Sequence, residues 1–265
     1  VGIGNSLLDI VFEVEDSILE ELGFKKGGME LIDKEKNAKI LERLKNFPRK
    51  IFPGGSSANT IFGVSILGGK SAFLGEIGKD ELGNLYEDKT KEAGVDTFFS
   101  RHESLSTGNT ITFITPDKER SFATYLGAAS YLNEENILEE VLSDSRVLHL
   151  EGYTLDYKEF RNSLLRAIEK ARSNNSKISI DLSDSGVIER NFDFIKNNLL
   201  GKIDVLFVNE KEAFALTGKK QEEAIEEISK LSKIVVLKLG ENGSLIKADG
   251  KIYKLSPGKH NKLEV

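Results

Sequence analysis

The sequence has no cysteine. That excludes disulfides, thiolate zinc sites and cysteine nucleophiles. Histidine is nearly as scarce: His102, His149 and His260 stand far apart, with no metal-ligand spacing between them and no partners for a Ser-His-Asp arrangement. No apolar run approaches the length of a membrane span, and no signal-peptide core opens the chain, so cytoplasm is the expected compartment. Basic blocks are missing too. The formal net charge is -6, and the lysines and arginines are scattered, which argues against a nucleic-acid partner. Neither a P-loop nor a GxGxxG fingerprint is present.

What is present is alternation. Short apolar runs, such as Val147–Leu150, Lys177–Leu182, Val205–Val208 and Ile234–Leu239, are separated by longer amphipathic stretches. Helices are predicted over 34–45, from Ser57 to Leu67, and in the second half over Asn133–Leu142, Lys158–Ser173, Asn191–Leu200, Glu210–Thr217 and Gln221–Leu231. This βαβ pattern predicts an α/β fold, a central mostly parallel sheet with helices on both faces. Thr110–Thr115 and Ser121–Tyr125 flank Pro116-Asp117-Lys118-Glu119 and predict a β-hairpin, a candidate lid. Ser244–Ile246 and Lys251–Leu255 predict a short antiparallel edge. No repeat, low-complexity stretch or linker divides the 265 residues, so one domain is expected.

Open parallel sheets bind ligands beyond the carboxyl ends of their strands. Asn5, Asp9, Asp181, Asn209 and the Gly240 loop fall there by pattern. Gly54-Gly55 followed by Asn59 is the sharpest local feature. Paired glycines allow a ligand, or simply a helix and a sheet, to approach the backbone closely. Asp9 lies between Leu8 and Ile10, where an ionised carboxylate needs partners; two hydroxyls of a polyol would serve, and so would a turn. Asn209 and Glu212 share one helix face and suit either a water-held magnesium ion or a capping box. Lys238 opens KLGENG, whose Gly240 and Gly243 permit either a nucleotide loop or a hairpin connection. Arg120, at the hairpin turn, is either an anion contact or a solvated arginine.

Taken in order, GNSLLD at 4–9, PGGSSANT at 53–60, GEIGKDELG at 75–83, the 107–129 hairpin segment, EGY at 151–153, DLSD at 181–184, NEKEA at 209–213 and KLGENG at 238–243 resemble the ribokinase-like (PfkB) carbohydrate kinases, on their adenosine-kinase-like branch. The resemblance implies a three-layer α/β/α fold with a small β-lid built from about 11–32 and 95–125. It implies substrate binding by Asn5, Asp9, Gly54, Gly55 and Asn59. Arg120 and Asp184 would lie near the phosphates. Asn209, Lys238, Gly240 and Gly243 would hold the nucleotide and Glu212 the metal, the cofactors being ATP and Mg2+. Lys238 stands where the family commonly has Thr or Ser, and Asp184 where it often has Asn.

The resemblance further implies an ATP-dependent sugar kinase, with an adenosine or nucleoside kinase as the alternative and a non-catalytic sugar- or nucleotide-binding remnant as a third reading. An aromatic slot for a base would fall around Phe12 and Met29. Partners are a small sugar or nucleoside, and the chain is expected as a monomer or a lid-mediated homodimer. Leu263–Val265 reads as a strand in mid-course, and the family's glycine-rich anion hole and catalytic aspartate would follow it. No residue of 1–265 is therefore assigned as catalytic, and the chain as it stands is expected to be inactive or nearly so.

Overall fold

Polar caps and glycines cut the alternating pattern into elements. The computed structural model describes residues 1–257. The chain, expected as one domain, divides into two compact units, Val1–Ile137 and Leu138–Val265. The reading of Leu263–Val265 as a strand lies outside the described residues. Among the described residues no helix is long and apolar enough to cross a membrane.

In the first unit, β1 (Gly2–Ile3) precedes β2 (Leu7–Glu13), α1 (Asp16–Leu22), β3 (Met29–Leu31), α2 (Lys34–Arg43), β4 (Arg49–Gly54) and α3 (Ser56–Ile66). β5 (Ala72–Gly78), α4 (Glu81–Glu92), β6 (Asp96–His102), β7 (Gly108–Ile114) and β8 (Arg120–Tyr125) follow. α1 stops where Gly23 turns to φ 75°, and Asp33 and Asp80 cap α2 and α4 by accepting from the backbone N–H of Lys36 and Gly83.

β1, β5 and β6 pair in parallel. A second sheet runs in the order β3-β8-β7-β2-β4. The predicted hairpin is its β7-β8 pair. β4 also belongs to it, whereas β6, placed in the lid by the 95–125 boundary, pairs with β5 instead. The reason lies in register. β6 continues the parallel ladder from Asp96 to His102, and the chain crosses to the second sheet only after Ser104–Thr107.

Strand alternation gives this second sheet two unlike faces. Ile10, Phe12, Ile111, Phe113, Ala123 and Tyr125 are buried together with Leu19 of α1 and Ile40 of α2. The opposite face carries Asp9, Val11, Thr110, Thr124 and Phe122, flanked by Phe52, Met29 and Leu31. A separate core joins Phe73 and Ile77 of β5 to Ala58, Ile61, Phe62 and Tyr86 of α3 and α4.

In the second unit, α5 (Glu139–Ser143) leads to β9 (Val147–Glu151), α6 (Lys158–Ser173), β10 (Lys177–Asp181), α7 (Ser185–Phe194), β11 (Val205–Asn209), α8 (Glu210–Thr217), α9 (Gln221–Ile228), β12 (Ile234–Lys238), β13 (Ser244–Ala248) and β14 (Lys251–Leu255). β9 to β12 are parallel neighbours in chain order, and β13 and β14 add antiparallel strands at the edge. Leu148, Leu150, Ile178, Ile180, Leu206, Val208, Val235 and Leu237 are fully buried, as strands covered by helices require.

The helix predicted over Asn133–Leu142 is broken. Asn133, Ile137 and Leu138 are extended, leaving a 3-10 turn at Glu134–Asn136 before α5. α7 starts earlier than the predicted 191, because Asp184 accepts from the N–H groups of Gly186 and Val187 and fixes the first turn there. Its continuation over Ile195–Leu199 is a π-type turn.

Candidate functional site

The two groups of candidate residues fall in different units. In the first, β2 places Asp9 beside β4, where Leu7 pairs with Gly54 and Asp9 with Phe52. A side chain at 54 would put its Cβ 2.4 Å from Asp9 Oδ2, so the carboxylate holds its present position only against a glycine. Gly55 adopts φ 104° at the N-cap of α3, and a Cβ there would lie 2.2 Å from the Asn5 carbonyl oxygen. Both glycines thus serve close approach, and the backbone conformation of Gly55 forbids a side chain independently. Asn5 is buried at the start of this contact. Asn59 lies one turn into α3, exposed, its N–H donating to the Gly55 carbonyl at 2.9 Å.

Burial raises the Asp9 carboxyl to about 6, and burial is the sole cause. Among the described residues, no hydrogen bond or ion pair offsets it. Asp9 is half-buried, and a half-buried acid without donors is a place for hydroxyl groups to bind. Tyr86, which pattern reading does not single out, completes the cradle. Its hydroxyl donates to the Gly54 carbonyl at 2.9 Å from a fully buried position. The only sequence signal was a tyrosine among apolar helix positions; its partner is 32 residues upstream.

Arg120 is not brought to this cradle. It pairs with Ile114, whereas Thr124 stands at the level of Asp9 through Thr110. That separation is four residues along the strands, about 13 Å. Phe12 is also misplaced as a base contact, since it is fully buried in the core on the opposite face. Met29 is 59% exposed on the Asp9 face, with Leu31 at 56% and Phe52 at 49%.

In the second unit, polar groups gather at the carboxyl ends of the parallel strands, as open sheets dictate. Asn209 and Glu212 form a complete capping box. The Asn209 side chain accepts from the Glu212 N–H at 2.9 Å, and Glu212 Oε2 accepts from the Asn209 N–H at 2.8 Å. Burial pushes the Glu212 carboxyl up, against the pull of these donors and of Lys238. Among the described residues no three acids or histidines converge as a metal cage. With both oxygens engaged by Asn209, Glu212 suits a hydrated cation held through its waters rather than a directly bound one.

Asp184 caps α7 from a strand-end turn. Lys238 is tied to Asp181, Nζ to Oδ2 at 2.6 Å. The Gly240–Asn242 turn joins β12 to its antiparallel neighbour β13, so the hairpin alternative describes its backbone. Gly243, at φ 87°, packs against the Leu255 carbonyl, leaving no space for a Cβ. Gly240, at φ 56°, faces open space.

Similarity to known proteins agrees with this geometry. Adenosine kinase from Sinorhizobium meliloti superposes with a TM-score of 0.86 at 30% identity, covering 98% of this chain and 80% of that one. The fold is therefore the ribokinase-like α/β class, with a central, mostly parallel sheet and flanking helices. The chain is 31% identical over 225 residues to 5-dehydro-2-deoxygluconokinase of Clostridium beijerinckii, covering 78% of this chain and 66% of that protein. It is 29% identical over 230 residues to guanosine-inosine kinase of Escherichia coli (strain K12), covering 82% of this chain and 52% of that protein. The chain thus spans between half and two thirds of these relatives' lengths. Residues 29–263 match the pfkB family carbohydrate kinases, and the chain belongs to that family.

Proposed function

We propose that the protein transfers the γ-phosphoryl group of ATP to a hydroxymethyl group of a sugar. The observation that carries this reading is the Asp9 cradle: a carboxyl raised to about 6 by burial and seated against Gly54, where a Cβ would displace it. Asp9 would accept from two sugar hydroxyls, with Asn5, Gly54, Gly55 and Asn59 shaping the rest of the cradle. The five-stranded sheet would act as the lid. Asn209 and Glu212 would order hydrated Mg2+, which neutralises charge on the phosphates during in-line transfer. Gly240 and Gly243 would admit the nucleotide, and Asp184 would lie near its phosphates. None of these residues is assigned as the general base.

A nucleoside acceptor is the second reading. Phe52, Met29 and Leu31, all about half exposed on the Asp9 face, favour it, because a base needs an apolar and partly aromatic wall. One titration tests both. Ribose, a keto-sugar acid, adenosine and guanosine are added separately and thermal unfolding is followed. A bound acceptor at a hundredfold excess over its Kd should raise Tm by about 5–10 °C. Asp9→Ala should remove the shift. A shift that survives Asp9→Ala, or no shift with any acceptor, would sink the cradle assignment; a nucleoside-only shift selects the second reading.

A further inference from the structure

Three of the sequence motifs meet at one turn, which is built on a carboxylate that the assignment above leaves without a role. Asp181 ends β10. Its Oδ2 accepts from Lys238 Nζ at 2.6 Å, and its Oδ1 accepts from the Ser183 N–H at 3.0 Å. Ser183 is held at φ 70°, a left-handed conformation unusual for a residue with a side chain. Its hydroxyl donates to the Asp181 carbonyl at 3.1 Å and accepts from the Gly152 N–H at 3.0 Å. Gly152 must be glycine, because a Cβ there would lie 2.2 Å from the Leu182 carbonyl oxygen. EGY, DLSD and KLG thus lock a single turn, and that turn delivers Asp184 to the first turn of α7.

The turn needs the Asp181 carboxylate for its shape. The same carboxylate is a liability where a polyphosphate is to bind, since Asp184 and Glu212 already place negative charge within electrostatic reach. Lys238 resolves the conflict. Its ammonium is committed to Asp181, and the pair stays partly open to solvent, with side chains 42% and 22% exposed.

Resting on the nucleotide-end reading above, we propose that Lys238 is not a phosphate ligand but the counter-ion of Asp181, making the turn-forming acid electrically silent toward the donor nucleotide. Lys238 and Asp181 are then positioning residues that act through the turn and its charge.

The test is the affinity for a non-hydrolysable ATP analogue with Mg2+, alongside affinity for the acceptor, in four variants. Lys238→Met uncovers the acid and should weaken nucleotide binding about tenfold, the scale of one uncompensated charge at a partly exposed site. Asp181→Asn keeps the acceptor for the Ser183 N–H and should bind at least as tightly as wild type. The double variant Asp181→Asn/Lys238→Met should recover to within about threefold of wild type, since neither charge is then present. Lys238→Arg should match wild type. Acceptor affinity should stay constant throughout, which a general loss of structure would not allow. A double variant as weak as Lys238→Met makes Lys238 a direct phosphate ligand and overturns the inference. So does a Lys238→Met variant with undiminished affinity, which leaves the kinase reading standing. A wild-type chain that binds acceptor but no nucleotide overturns both.

Discussion

At the scale of single residues, the role proposed for Asp9 works against stability. Its carboxyl is raised from 3.8 to about 6 by burial alone. The folded chain therefore holds a proton that the unfolded chain has lost between those two values. Stability must fall as pH rises through that window, and the full penalty is present above it. At pH 7.5 the ionised group costs on the order of 2–3 kcal/mol. Asp9→Asn should accordingly raise Tm at pH 7.5, with the gain shrinking toward pH 4 as wild-type Asp9 becomes protonated. The same variant should lose acceptor binding, because an amide replaces one acceptor oxygen with a donor. Acceptor affinity of the wild type should decline below about pH 6, as the protonated acid gives up one acceptor oxygen. Equal Tm differences at the two pH values would show that burial does not perturb this carboxyl. Asp9 itself was legible from sequence, as an acid between apolar neighbours. Its lack of partners among the described residues was not, because that depends on β4 and on what the cradle omits.

At the scale of elements, legibility followed the strength of the local signal. α6 and α8 occupy the predicted ranges, Lys158–Ser173 and Glu210–Thr217, since a clean apolar stripe and a capping box fix both position and bounds. One prediction failed where local propensity met tertiary burial. Glu134–Glu140 is rich in helix formers, yet Ile137 and Leu138 are extended, with Ile137 buried, and the helix breaks. The lid boundary failed for a different reason: β4 and β6 carry similar strand patterns, and only pairing decides which sheet each joins. β4 matters most here, since its last residue, Gly54, floors the cradle. Tyr86 holds the Gly54 carbonyl from α4. Tyr86→Phe leaves that buried carbonyl without the hydroxyl and should cost about 1–2 kcal/mol in chemical denaturation. It should also weaken acceptor binding several-fold while leaving nucleotide affinity unchanged. Gly55→Ala should cost at least about 2 kcal/mol, because φ 104° is strained for any side chain and the Cβ meets the Asn5 carbonyl. A Gly55→Ala variant as stable as wild type would mean that the close approach between Gly55 and Asn5 relaxes freely.

At the scale of the whole molecule, the fold class was legible because a parallel sheet leaves a strong one-dimensional trace: short apolar strands, long amphipathic helices and polar residues after the strand ends. Division into two units was not legible, since Ile137 and Leu138 sit in an ordinary apolar stretch with no linker composition. Under the proposed function, the division assigns each ligand to its own unit. Asn5, Asp9, Gly54, Gly55 and Asn59 belong to Val1–Ile137, while Asp181, Asp184, Asn209, Glu212, Lys238 and the Gly240–Asn242 turn belong to Leu138–Val265. Each unit also buries apolar residues of its own. Ligand protection should therefore partition along the chain. In hydrogen exchange followed by mass spectrometry, an acceptor sugar or nucleoside should slow exchange in peptides covering 5–9 and 54–59. An ATP analogue with Mg2+ should slow exchange in peptides covering 181–187, 209–213 and 238–243. The first-turn amides of α7 and α8 should respond most, because Asp184 and Asn209 already fix them and a bound nucleotide would suppress the local opening that exposes them. Protection of 54–59 by the nucleotide alone, or of 209–213 by the acceptor alone, would assign the two ligand sites to the wrong units.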